Sequence, residues 1–243
     1  MTILAVIPAR YASQRFPGKP LALIDHRPMV QWVYEAAKAC SVFSQVIVAT
    51  EDDRILEVVQ SFGGCAERTS PDHRSGTDRV AEVATRYPDA QVVVNVQGDQ
   101  PFVTAKMLEQ LVMPYLKPTA GMPEMTTLAC PLAEDDYHNP NAVKVICDRY
   151  QQALYFSRSP IPYYRNAGPA PVYHHLGLYA FRRDFLAHYA NLTPTPLEAC
   201  EGLEQLRVLE HGHRIVVCHT ETKVLEINTP DDLEAAQAQI QGQ

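Results

Sequence analysis

Ile3–Ile7 is an unbroken apolar run that ends at Pro8 and passes into a loop carrying Arg10, Arg15 and Lys19. A buried strand that stops at a proline and feeds a cationic loop suits an open α/β sheet, whose ligands lie beyond the carboxyl ends of its strands. The Gly18-Lys19 pair does not belong to a G-x-x-x-x-G-K-[ST] P-loop. The loop's guanidinium and ammonium groups nevertheless suit a triphosphate. A merely solvated basic loop would read the same way. The whole chain carries a net charge of -7, so the positive charge here is local and its role should be local too.

The 243 residues are 46% apolar and 20% charged, enough to bury a sizeable core and too apolar for disorder. An acidic chain argues against a broad nucleic-acid face. The start MTILAVIPAR lacks a charged n-region and a long apolar stretch, so no signal peptide is expected. No apolar stretch approaches the ~20 residues of a membrane span. Cys40, Cys65, Cys130, Cys147, Cys200 and Cys218 are scattered without a C-x-x-C pair, which suggests reduced thiols and a cytoplasmic protein.

Strand and helix signals alternate through the first half. Ile3–Ile7, Gln45–Thr50 and Gln91–Val96 read as strands. Helical spacing covers 28–40, 52–62, about 76–86 and 104–116, with Gly63-Gly64 closing the second helix. Such alternation predicts crossovers and a mostly parallel sheet. After about residue 120 the pattern turns strand-rich: 125–131, 142–148, 151–156, 172–181, 214–219 and 224–227. Helices are expected at 183–189 and 197–211, and Thr229-Pro230-Asp231-Asp232 opens a last one. The expectation is one domain over 1–243, with a nucleotide-binding half (about 1–120) and a substrate-binding half (about 121–243).

Several motifs carry candidate chemistry. Asn95-Val96-Gln97-Gly98-Asp99 ends a strand in an acid, where a Mg²⁺ ligand facing a phosphate loop would sit, although Gly-Asp also forms ordinary turns. Ser75-Gly76 opens a helix and offers amide N–H groups to a base edge or phosphate, or simply caps that helix. His175 and Tyr179 share a strand face, Arg158 could pair with a carboxylate, and Glu204-Gln205 could bind hydroxyls. Zinc-hydrolase and G-x-G-x-x-G dinucleotide patterns are absent from the sequence.

Taken together, IPARYASQRFPGKPL (7–21), HRSGTDR (73–79), NVQGDQP (95–101), NPNAVKV (139–145), ALYFSRSPIP (153–162), HLGLYAFR (175–182), LEQLRVLEHG (203–212) and TPDDLE (229–234) resemble the CMP-Kdo synthetase family, the 3-deoxy-manno-octulosonate cytidylyltransferases of lipopolysaccharide synthesis. The resemblance runs nearly end to end. It implies a Rossmann-like, glycosyltransferase-A-like nucleotidyltransferase fold of three layers, usually a homodimer, that joins CMP from CTP to an eight-carbon sugar acid with Mg²⁺. It places Arg10, Arg15, Lys19 and Asp99 at the reacting phosphates, and Ala9, Arg10, Ser13, Ser75 and Gly76 at the nucleotide. Gln97, Arg158, His175, Tyr179, Glu204 and Gln205 fall at the sugar.

Two positions depart from the family pattern. Gln100 stands where the family often has Glu, and Asn228 where it typically has a metal-binding Asp. An asparagine carbonyl is a weaker ligand for a hard cation, so Glu226, two residues earlier, or the substrate's own carboxylate is a candidate for the missing charge. Alternatives that the sequence leaves open are an 8-amino analogue of the sugar and a nucleotide-sugar-binding module without catalysis.

Overall fold

The computed structural model describes residues 1–12, 16–118, 121–166 and 171–241, so Ser13 and Arg15 lie outside the described residues. Two compact units emerge: Met1–Glu109 with Val224–Gln243, and Gln110–Lys223.

The first unit is built in chain order from β1 (Ile3–Pro8), the hairpin of β2 (Leu23–Ile24) and β3 (Arg27–Pro28), α1 (Met29–Lys38), β4 (Gln45–Thr50), α2 (Asp53–Ser61), β5 (Ala66–Arg68), α3 (Gly76–Thr85) and β6 (Val92–Asn95). β1 pairs in parallel with β4 on one side and β6 on the other, and β4 pairs in parallel with β5. Ile3–Ile7 are buried without alternation, as a parallel strand covered on both faces requires. α1 buries Met29, Val30, Val33, Tyr34 and Ala37 as one stripe. Asp52 caps α2 by accepting from the Arg54 amide, and Gly63, at φ 78°, turns the chain away after it. β5 and the short hairpin were not expected from the sequence.

The C-terminal segment folds with this unit, although the sequence reading counted it with the second half. Ile227 and Ala236 join Ile24 and Met29 in a buried cluster, with Phe16, Trp32 and Phe102 packed against it. The expected strand at 224–227 does not form. Its polar groups go elsewhere: the Ile227 amide donates to the Asp99 carbonyl (2.9 Å), and the Ile227 carbonyl accepts from Lys19 Nζ (3.0 Å). The expected last helix runs over Pro230–Gln241.

The second unit carries β7 (Met125–Pro131), β8 (Lys144–Cys147), β9 (Ala153–Ser157), β10 (Tyr173–Arg182) and β11 (Ile215–His219). β10 runs antiparallel to β7 and to β8, β9 antiparallel to β8, and β11 parallel to β7. α4 (Ala105–Leu116) leads into this unit, and α5 (Arg183–Tyr189), α6 (Pro196–Glu201) and α7 (Leu206–Glu210) follow β10. The single helix expected at 197–211 is two, because Gly202 adopts the left-handed conformation (φ 62°) and ends α6. Among the described residues, no helix is long and apolar enough to cross a membrane.

Ile227 has no solvent exposure, so Ile227→Ala should cost about 2–5 kcal/mol and lower the thermal midpoint by several degrees in differential scanning calorimetry. An unchanged midpoint would contradict the anchoring role given to the C-terminal segment.

Candidate active site

Beyond the carboxyl ends of β1 and β6, the first unit opens a cavity of about 540 Å³ lined by Ala9, Arg10, Lys19, Gly76, Gln97, Gly98 and Asp99, among others. This is where the sequence placed the phosphate loop and the acid, and the fold brings them together. Lys19 starts a short turn after Gly18, which sits at φ 72°. Its Nζ lies 2.8 Å from Asp99 Oδ2 and 3.0 Å from the Ile227 carbonyl. The two side chains are 15% and 28% exposed, so the pair is partly shielded but reachable from the cavity. Arg10 also lines it and is oriented by an Nη2 donation to the Arg74 carbonyl (2.9 Å).

Close backbone approach shapes this cavity. A Cβ on Gly98 would stand 2.8 Å from the Pro8 carbonyl oxygen, so only glycine lets the Asp99 loop lie against the end of β1. A Cβ on Gly76 would meet the Pro8 ring at 3.2 Å. Ser75 and Asp78 form a capping box on α3: Ser75 Oγ accepts from the Asp78 amide, and Asp78 accepts from the Ser75 amide. The Ser75 amide and hydroxyl oxygen are thus engaged in the helix cap, and the hydroxyl keeps its own O–H to donate.

The two departures from the family pattern prove to be neighbours. Gln100 Nε2 donates to Glu226 Oε1 (3.0 Å), and Asn228 Nδ2 reaches Glu226 Oε2 at 3.5 Å. Two amides thus flank one carboxylate. A glutamate at 100 would set like charges against each other here, which gives a physical reason for glutamine beside Glu226. Sequence spacing could not reveal a contact between residues 126 positions apart. Asn228 gives its amide nitrogen to Glu226.

In the second unit, His175, Tyr179 and Gln205 form one buried polar chain. A bulge around Gly177 interrupts the β10–β7 register between His175 and Tyr179, yet their rings remain 5.6 Å apart. The Thr127 hydroxyl donates to the Leu178 carbonyl (2.8 Å), so it must accept from His175 Nε2 (2.9 Å). That fixes the Nε2–H tautomer and leaves Nδ1 to accept from Gln205 Nε2 (3.4 Å), while Gln205 Oε1 accepts from the Tyr179 hydroxyl (3.1 Å). Burial pushes His175 down to about 3, with a smaller contribution from His174, so the ring is neutral at working pH. Glu204 is half-buried beside Gln205, and its carbonyl accepts from Tyr189. Arg158 follows the end of β9 and donates from Nε to the Glu201 carbonyl (2.8 Å) and from Nη1 to the Pro140 carbonyl (3.0 Å). Thr127, which sets the histidine tautomer, carried no sequence signal beyond its place in an apolar strand.

Comparison with known proteins gives this geometry a context. A cytidylyltransferase family model matches residues 4–215. A 3-deoxy-manno-octulosonate cytidylyltransferase of Acaryochloris marina is 65% identical over 242 residues, covering 99% of this chain and 98% of the relative. Another of that name from Geobacter metallireducens is 48% identical, covering 96% of each. A solved structure of CMP:2-keto-3-deoxy-manno-octonic acid synthetase complexed with CTP superposes with a TM-score of 0.94 at 40% identity, over 100% of this chain and 99% of that one. A cytidylyltransferase from Leptospira borgpetersenii, with a TM-score of 0.67 at 17% identity over 100% of this chain and 88% of that one, shares the fold. The α/β nucleotidyltransferase fold expected from the sequence is the one observed.

His175 titrates near 6.5 when unfolded and is pushed down to about 3 when folded. The unfolded chain therefore binds the extra proton between those values, and the native state loses stability as pH falls through that window. His174, lowered to about 4, and His219, also lowered, act in the same direction. His175→Gln should flatten the pH dependence of unfolding free energy near pH 5 by about 1.4 kcal/mol per pH unit. Urea titrations at several pH values measure this, and an unchanged slope would mean that His175 is not held neutral.

Proposed function

The chain belongs to the cytidylyltransferase family, and from that premise we propose that it transfers CMP from CTP to 3-deoxy-D-manno-octulosonate (Kdo), releasing diphosphate, for lipopolysaccharide assembly. It is an enzyme, a nucleotidyltransferase. The observation that carries the reading is the cavity at the ends of β1 and β6, where Arg10, Lys19 and Asp99 converge.

The anomeric hydroxyl of the sugar acid attacks the α-phosphorus in line, and the O–P bond to diphosphate breaks as the new one forms. Negative charge grows on the phosphoryl oxygens and on the leaving diphosphate. Arg10 and Lys19 stand where they can stabilise it, each contact worth on the order of a few kcal/mol in a shielded site. Lys19 holds Asp99 and the Ile227 carbonyl in place, and the donors of an ammonium group allow one more acceptor, which a phosphate oxygen can fill. Arg15 belongs to the same role by resemblance. In the second unit, Tyr179 directs its proton to Gln205 and by resemblance belongs, with His175 and Gln205, to the sugar-binding set. The neutral His175–Gln205 chain fixes the direction of that proton. By resemblance, Arg158 takes the sugar's carboxylate, and Gln97 and Glu204 belong to the residues expected to meet the sugar.

The donor set fits Mg²⁺, which binds through one or two carboxylates together with substrate phosphates. Asp99, partly exposed at the cavity, would hold it, with the Asn228 carbonyl and the Glu226 carboxylate as further oxygen donors. When bound, the metal would neutralise phosphate charge and acidify the attacking hydroxyl. A cytoplasmic homodimer completes the proposal, and exposed Tyr150, Leu154 and Tyr163 offer surface for such an assembly.

Asp99→Ala should lower CTP-dependent diphosphate release by roughly a hundredfold or more while leaving circular dichroism unchanged and the melting transition cooperative. Full activity would remove Asp99 from the mechanism. Run across a panel of sugar acids, the same assay should give the highest kcat/KM with Kdo. A higher value with the 8-amino analogue would replace the substrate but keep the chemistry.

A further inference from the structure

Arg158, which the proposed function sets on the sugar carboxylate, is gripped from two sides by residues not yet assigned a role. Lys144 opens β8 and has no solvent exposure. Its Nζ donates to the carbonyls of Asn139 (2.9 Å), Ala142 (2.9 Å) and Arg158 (2.6 Å). These three acceptors satisfy the donors of an ammonium group, without which a buried cation would be costly.

Glu201, the last residue of α6, makes the opposing grip. Its carboxylate accepts from Ser157 Oγ (2.7 Å) and from the Arg158 amide (2.9 Å), and its carbonyl accepts from Arg158 Nε (2.8 Å). The backbone of Arg158 is thus held at its N–H by Glu201 and at its C=O by Lys144. The guanidinium is tied at Nε to Glu201 and at Nη1 to Pro140. Pro140 lies in the turn that Lys144 closes from Asn139 and Ala142, so one ammonium sets both the root of the arginine and an anchor of its tip.

We propose that Lys144 and Glu201 are the positioning residues for Arg158, aiming its remaining N–H groups so that they meet the planar carboxylate of the sugar acid. The inference rests on the proposed function. A bidentate guanidinium–carboxylate contact is sensitive to angle, and small misplacements are costly. Holding Arg158 at four points supplies that aim before the substrate arrives.

Steady-state kinetics on the full-length enzyme test this, with the KM for Kdo and the KM for CTP measured separately for Lys144→Met, Glu201→Gln, Arg158→Ala and the double variant Arg158→Ala/Glu201→Gln. Lys144→Met and Glu201→Gln should each raise the KM for Kdo about tenfold or more and leave the KM for CTP within about twofold. Glu201→Gln should add less than about twofold once Arg158 is already alanine, because the group it aims is gone. Equal rises in both KM values, or full additivity in the double variant, would reduce the pair to a structural brace and overturn the proposal. Should Lys144→Met fail to melt cooperatively, the nearly isosteric Glu201→Gln decides alone. An Arg158→Ala enzyme with normal KM for Kdo would overturn the assignment of Arg158 itself. Loss of Kdo affinity in Arg158→Ala with normal affinity in the other single variants would overturn only the positioning role.

Discussion

One ammonium group organises the first unit's site. Lys19 Nζ joins the loop after β1, the carboxylate after β6 and the returning C-terminal segment, through Asp99 Oδ2 and the Ile227 carbonyl. These three stretches are far apart in sequence. The pair is partly shielded, which strengthens its Coulomb attraction over that of an exposed pair. It also keeps a carboxylate and a cation side by side in a cavity fit for a charged ligand. In the proposed function a phosphate oxygen would take the further donor of Lys19 while Asp99 keeps its cation partner, so ligand binding need not leave either group buried and unpaired.

Around that contact, the backbone does much of the shaping. Gly98 permits the Asp99 loop to press on the Pro8 carbonyl, and the Ile227 amide closes on the Asp99 carbonyl from the other side. The buried cluster of Ile24, Met29, Ile227 and Ala236 then supplies the apolar anchor that holds the C-terminal segment in reach of Lys19. Polar order in the second unit follows a different rule. Thr127, His175, Gln205 and Tyr179 satisfy each other in one direction, so the tautomer of a buried histidine and the donor–acceptor sense of a tyrosine are set together.

Much of this was legible in the sequence where local patterns decide the outcome. The runs at 3–7, 45–50 and 91–96 could hardly be anything but buried parallel strands, and Ser75 and Thr229 marked helix starts that formed. The β2–β3 hairpin escaped notice because its turn uses Asp25 and His26 at positive φ rather than the usual Asn-Gly. The segment 224–227 has the composition of a strand, but its hydrogen bonds go to Asp99 and Lys19. Helical spacing through 197–211 concealed the break at Gly202. The contacts that shape the site were out of reach for another reason. Gln100 meeting Glu226, and Lys144 closing on the Arg158 carbonyl, are tertiary events between residues whose own neighbourhoods in sequence give no sign of a partner.

The central claim is that Lys19, paired with Asp99, receives the triphosphate of CTP. Isothermal titration of CTP into the wild-type protein and into Lys19→Met, without sugar acid, tests it most directly. The account predicts that CTP affinity falls about tenfold or more while the melting transition remains cooperative. Equal affinity in a folded variant would contradict it.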